Sequence, residues 1–268
     1  TPSSGRAAVI RHPKATVRNL TLNGGNSYAG SGAYVRAGKL ENCRVTGSKV
    51  NYSLNKPKDG LGCVLVVDSD ARVTRTEIRN NTAIHASARG AGGYVLWGTI
   101  DNCLVVSNSA TTGSGIIAAG AGCKIVNCTV AGNIDSTSGT YSPGIYVGSA
   151  SAQVVNCASF TNLYAGVLAD WKSSLSDENT AAVFSNSAFT RSDDAELPSD
   201  TCIVVGTDDF KDLVRYRPRA HRSLHNAGSA DFSYPDGALD LSGRKRVIGD
   251  VDIGCYEIQS QGLYLSVR

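Results

Sequence analysis

Seven segments of this chain repeat one pattern, and the repetition limits its folds more than any other feature. They are TVRNLTL (16–22), KLENCRV (39–45), RVTRTEI (72–78), TIDNCLV (99–105), KIVNCTV (124–130), QVVNCAS (153–159) and VFSNSAF (183–189). The shared column holds Asn19, Asn42, Arg75, Asn102, Asn127, Asn156 and Asn186, at steps of 23, 33, 27, 25, 29 and 30 residues. A period that drifts in this way belongs to stacked coils joined by loops of unequal length.

Within each segment the apolar positions fall at i, i+3 and i+5, as in Ile125, Cys128 and Val130 around Asn127. A single strand would alternate strictly, so the extra residue implies a bend at the Asn, whose side chain tolerates left-handed backbone. A second motif, Gly followed by apolar residues, recurs as GAYV, GCVL, GGYV, GIIA, GIYV and GVLA from Gly32, Gly62, Gly92, Gly115, Gly144 and Gly166. Three short strands per coil, with no helical period between them, predict an all-β chain. The expected fold is a right-handed parallel β-helix of about seven coils with an irregular C-terminal cap. A sandwich or barrel would need hairpin turns such as Asn-Gly, and a leucine-rich repeat would need more Leu and a helical half.

Parallel coils stack at about 4.8 Å, so repeated columns become ladders. Asn19, Asn42, Asn102, Asn127, Asn156 and Asn186 are expected to form an asparagine ladder interrupted at Arg75, with Cys103, Cys128 and Cys157 stacked inside the coil. Small buried thiols suit a narrow interior. A disulfide is the other reading of that column, although in-register strands aim Cβ vectors poorly for one. The repeat resolves 268 residues into coils over 1–192 and a capping segment over 193–268 that packs on the helix and shields its open end. Thr1 falls inside the pattern, which leads us to expect earlier coils or domains before it.

The G-x-φ-φ and φ-x-N-C-x-φ units resemble right-handed parallel β-helix repeat proteins of bacterial cell surfaces and secretions. YRPRAHRSLHNAG (216–228) and LDLSGRKRVIGDVDIGCYE (239–257) resemble the closing segment of the β-helix proteins called choice-of-anchor proteins. That family closes on a similar Asp-Ile-Gly-x-Tyr-Glu stretch, here Asp252 to Glu257. Arg75 and Thr76 in place of Asn-Cys, and Cys255 in place of a small apolar residue, depart from the pattern. The resemblance implies a bacterial, extracellular or cell-surface setting and little about activity.

Three projecting loops supply glycan-binding candidates: Tyr52 and Lys56 in 49–61, His85 and Arg89 in 82–91, and Tyr141 in 134–143. Aromatic faces and planar polar groups are what sugars need. A column of Tyr34, Val64, Tyr94, Ile117, Tyr146 and Leu168 is expected to face outward, with the C-terminal segment packed on it. For a polysaccharide lyase the nearest groups are Asp68, Asp70 and Arg75, or Asp170 and Lys172, and only that chemistry would call for calcium. A hydrolase needs two facing carboxylates. Asp193 with Asp194, and Asp208 with Asp209, are adjacent pairs that an extended backbone would point apart. His221 and His225, four apart, fall in an Arg-rich stretch that repels cations, so no metal site is expected.

A net charge of +3 gives no case for nucleic acid, and no apolar run approaches the roughly 18 residues of a membrane span. The favoured reading is a noncatalytic extracellular module, adhesin-like or glycan-binding, whose partner is a polysaccharide, a surface glycan or a neighbouring surface protein. The alternatives are a carbohydrate-active enzyme, lyase before hydrolase, and a self-assembling surface subunit.

Overall fold

A computed structural model describes residues 5–51, 60–83, 85, 88–137, 141–190, 196–229 and 237–259. The chain is a parallel β-solenoid of about six turns, and its one α-helix among the described residues is the seven-residue Asp177–Val183. Every turn contributes to an eight-stranded sheet, a seven-stranded sheet, and a twelve-stranded sheet that wraps two faces. The two faces are joined because the nine-residue strand Ala33–Glu41 pairs with Val64–Val66 through its first half and with Ala71–Thr74 through its second. No helix of the described residues is long and apolar enough to cross a membrane.

The bend column behaves as its sequence predicts. Asn19, Asn42, Asn102, Asn127, Asn156 and Asn186 all have φ between 44° and 59°, and Arg75 adopts the same left-handed conformation at 48°. The glycines that precede several strands of the Ala33–Glu41, Gly93–Val95 and Ile116–Ala118 face have a different cause. A Cβ on Gly144 would lie 1.9 Å from the Asp170 carbonyl oxygen, and one on Gly115 would lie 2.1 Å from that of Gly144. At those two coils the next turn approaches too closely for a side chain, while Cys63 and Asp170 hold the same place before Val64–Val66 and Trp171–Ser173.

The seven repeated segments bound about six turns, and the chain leaves the pattern after Ala188–Phe189. Ile203–Val204 adds one more strand beside it, in the segment expected to be purely cap, and the solenoid then ends. The coil containing Gly166 also departs from its predicted alignment. Ala165 and Gly166 are both left-handed, which suits a two-residue hairpin turn. Val167–Leu168 accordingly folds back antiparallel on Leu163–Tyr164. Trp171–Ser173 takes the expected place beside Ile145–Val147, and Trp171 meets the rings of Phe184 and Phe189 at 5.8 and 6.4 Å.

Inward columns fill the solenoid. Leu40, Val73, Ile100, Ile125, Val154 and Phe184 stack in register on the second face, and all are fully buried. All eight cysteines are free and buried. Cys103, Cys128 and Cys157 form the predicted inner stack, each Sγ bonding to the carbonyl two residues earlier: Asp101 at 3.0 Å, Val126 at 3.3 Å and Val155 at 3.3 Å. Thr76 and Ser187, which stand where the cysteines are missing, make the same bond at 2.9 Å to Thr74 and Ser185. A small donor is what this column requires.

The continuous asparagine ladder lies one corner further on, six residues past the bend. Asn81, Asn108, Asn133 and Asn162 are buried, and the Nδ2 of each of the first three donates to the Oδ1 of the next at 2.9–3.0 Å. The Oδ1 atoms of Asn108, Asn133 and Asn162 also accept the backbone N–H of the previous asparagine in the ladder, and each Nδ2 also donates to a carbonyl of the previous coil, such as Ile78 from Asn108. In the predicted bend column Asn42 Nδ2 donates to Asn19 Oδ1 at 2.8 Å.

The tyrosine column is real, with corrected members: Tyr34, Leu65, Tyr94, Ile117, Tyr146 and Lys172 are in register. Among the described residues its cover is local and does not come from the C-terminal segment. Tyr28, Ala29, Leu61 and Tyr141 from the adjoining loops pack on it, and the Arg6 guanidinium sits 4.6 Å from the Tyr34 ring centroid.

The C-terminal segment instead covers the outer side of the eight-stranded sheet. There Leu104, Val106, Ala131, Ala158, Phe160 and Ala188 meet Val205, Phe210, Tyr216, Leu224, Ile253 and Tyr256. Phe160 stacks on Phe210 at 4.1 Å and meets Tyr216 edge-on at 5.3 Å. Residues 254–255 run back across the coils, Gly254 N–H bonding to Asn156 O and Cys255 N–H to Thr129 Oγ1.

Candidate functional site

Side chains on the outer side of this sheet change character along the solenoid. One column reads Thr21, Arg44, Glu77, Leu104, Thr129, Ala158 and Ala188, and its neighbour reads Asn23, Thr46, Arg79, Val106, Ala131 and Phe160. The apolar half is where the C-terminal segment lands, since apolar surface left open to water is costly. Where the apolar columns give way to Arg44 and Glu77, a cleft of about 590 Å3 opens between strands and cap.

Four arginines line it, two from each side: Arg44 and Arg75 from the coils, Arg215 and Arg217 from the cap. Arg44 is fixed on Glu77 through Nε at 2.9 Å and Nη2 at 2.8 Å. Arg75 donates to Glu41 Oε1 at 2.8 Å, and that hydrogen bond holds the Glu41 carboxyl below its ordinary range. Tyr216, buried against Phe160 and Phe210, anchors the segment that carries Arg215 and Arg217. Arg217 lies over the Tyr256 ring at 5.7 Å, while Arg215 makes no ion pair with any described residue. Asn19, Asn42, Thr21 and Ser242 complete the polar rim. Glu77 is the one carboxylate lining the cleft among the described residues.

The groups suggested for lyase chemistry do not converge. Asp68 sits in a turn, in an exposed pair with Arg36 at 3.5 Å, and Asp70 is exposed beside it. Arg75 lies beyond the intervening strand Ala71–Thr74, four residues that span roughly 13 Å when extended. Asp170 closes the inner asparagine ladder: its Oδ1 accepts from the Asn162 N–H and Nδ2 at 2.9 and 2.8 Å, and its Oδ2 from the Thr190 N–H at 3.2 Å. Burial pushes its carboxyl up to about 6 against those bonds. Lys172 projects from the far end of the tyrosine column.

Among the loop candidates, Tyr52 and Lys56 lie outside the described residues, as do Asp193 and Asp194. Arg89 and Tyr141 are brought together, Arg89 Nη1 bonding to the Tyr141 hydroxyl with its guanidinium 4.7 Å from the ring centroid. Tyr141 in turn meets Tyr146 edge-on at 4.5 Å, so this pair roofs the tyrosine column. His85 accepts the Ala88 N–H through its carbonyl in the same loop. No three His, Cys, Asp or Glu side chains are grouped to hold a metal ion among the described residues. His221 and His225 meet edge to face at 5.5 Å.

The closing Asp-Ile-Gly-Cys-Tyr-Glu stretch is structural at its core. Asp252 takes the N–H of Asn226, Asp240 takes that of Glu257, and the fully buried Arg246 donates to the Asp252 carbonyl at 2.6 Å. Burial pushes the Glu257 carboxyl up to about 8 despite Arg246 at 3.8 Å.

Arg215 and Arg217 fall in the Arg-rich stretch Lys211 to Arg222, whose contact with acidic glycans the sequence left open beside a solvated face, whereas Arg44 was not singled out and one signal pointed to it. Read two residues past the bend, the repeat places Arg44 and Glu77 in the column where later coils carry Leu104, Thr129 and Ala158. The fold and its flank together define a parallel β-solenoid carrying an arginine-lined cleft. Comparison with family models, curated proteins and solved structures found no match for this chain.

Proposed function

We propose that this chain is a noncatalytic, extracellular β-solenoid module of bacterial surface type that binds an acidic glycan in the arginine cleft. The observation that carries this reading is Arg75. At the one bend where the repeat abandons Asn, a larger cation is held at φ 48°, a conformation costing most residues about 1 kcal/mol or more. That residue lines the cleft. Local strain kept at a surface cavity is a mark of function.

The chemistry fits the ligand class. Guanidinium groups bind carboxylates and sulfates in bidentate fashion, and the rim amides and hydroxyls suit sugar hydroxyls. A cleft of this size falls within the roughly 300–1,000 Å3 typical of small-ligand sites. Hydrolysis is disfavoured because it needs a second facing carboxylate, and Glu77 is already engaged by Arg44 and by Arg79 at 3.9 Å. The resemblance of the closing segment to choice-of-anchor proteins supports the surface setting.

The test is calorimetric titration with uronate-bearing and sulfated polysaccharides beside neutral ones. Binding confined to the acidic polymers, and weakened at least tenfold in Arg215→Ala, is expected. Equal binding to neutral polymers, or none to any, would discard the reading. Accumulating absorbance from unsaturated sugar ends would replace the noncatalytic module with a lyase.

A further inference from the structure

A second cavity, of about 620 Å3, lies on the other side of Arg217, Ser242 and Tyr256, which line both. Its walls carry Lys211, Arg244, His221 and His225, with one carboxylate among the described residues, the buried Glu257 that faces Arg246. Lys211 and Arg244, like Arg215, make no ion pair with any described residue. Their backbones are nevertheless fixed: Lys211 N–H bonds to Arg217 O at 2.7 Å, and Arg244 N–H to Asp240 Oδ1 at 2.8 Å.

From this continuity we infer that the two cavities form one groove for an extended polyanionic saccharide chain, with acidic groups on both sides of the Arg217–Tyr256 stack. This inference rests on the acidic-glycan reading and specifies its ligand as an internal stretch of polymer. Three features support it. Uncompensated cations occupy both cavities, so one acidic sugar would leave half of them unused. The divider is the buried Tyr256 ring with the Arg217 guanidinium over it, and Arg217 lines both cavities. Each cavity alone is already large enough for a small ligand, so the joined groove exceeds the needs of one residue.

Linked charges on one chain bind as connected events, so affinity should climb with length until both cavities are filled. The experiment titrates the intact chain with oligogalacturonates of one to eight units, at two salt concentrations, together with a DNA oligonucleotide of matched charge. The expected result is an affinity at least tenfold higher for the tetramer or longer than for the monomer, with a steeper salt dependence. In Lys211→Ala/Arg244→Ala, long-oligomer affinity should fall at least five times more than monomer affinity, whereas Arg215→Ala should weaken both. Circular dichroism of each variant separates lost binding from lost folding. Equal affinity at every length would overturn the polymer groove while leaving the acidic-glycan reading in place. Absence of binding at every length would overturn both, and stronger binding to the DNA would reassign the groove to nucleic acid.

Discussion

The Asn162 side-chain amide donates to Asp170 Oδ1 at 2.8 Å, and that contact ends a buried column of asparagines on an acid. Each earlier Oδ1 receives both a backbone and a side-chain N–H from the preceding rung, and at the last rung a carboxylate oxygen does so. The column therefore terminates on a group that titrates.

Asp170 should make folding pH-dependent in a defined window. Its ordinary value is 3.8, and burial raises it to about 6 in the folded chain. Between those values the folded protein keeps a proton that the unfolded chain has released, so stability is greatest below the window and declines as pH rises through it. The full effect is on the order of 3 kcal/mol. Asp170→Asn should flatten this slope, as read from urea denaturation at pH 4.5, 5.5 and 7. An unchanged slope in the variant would remove Asp170 as its source.

The two asparagine columns should respond unequally to alanine. Asn108→Ala leaves the Asn81 N–H and Nδ2 and the Ile78 carbonyl without their partner in a dry interior, at a cost of roughly 3–5 kcal/mol. Asn186→Ala keeps the backbone bond to Thr201 Oγ1 and loses only tolerance of the left-handed bend, about 1 kcal/mol. Denaturation midpoints check the order, and equal losses would refute the distinction between ladder and bend.

Phe160 should hold the cap. Its ring lies between the outer sheet and Phe210 and Tyr216, so Phe160→Ala is expected to cost about 3–5 kcal/mol. Limited proteolysis should then show faster cleavage within 196–229 than within the coils. Uniform acceleration along the chain would mean that cap and coils unfold as one unit.

Arg75→Asn should separate stability from binding. Asn relieves the left-handed strain at the cost of an ion pair with Glu41, and the net gain is up to about 1 kcal/mol. Acidic-glycan affinity should fall severalfold at the same time. A variant that is both more stable and fully competent in binding would show that Arg75 serves no ligand.

Much of the fold was legible in the repeats. Asn127 with Cys128 and their equivalents announced the bends and the inner sulfur column, because a bend needs a residue that tolerates left-handed backbone and a narrow interior needs small side chains. The six-residue step from each bend to Asn81, Asn108, Asn133 and Asn162 was equally regular. It was hidden because Asn in a polar loop and Asn in a buried ladder look alike until register is known.

What the sequence alone determined was therefore a periodic property: an all-β chain of stacked coils, with their bends and inward columns, since each follows from residues a few positions apart. The tertiary structure decided the rest. That Tyr141 roofs the tyrosine column, that Asp170 closes a ladder, and that Arg44 and Arg75 meet Arg215 and Arg217 across a cleft all depend on contacts between distant parts of the chain. The cap settles where the outer sheet is apolar, and local patterning cannot show which surface of a coil stays uncovered until that packing is made.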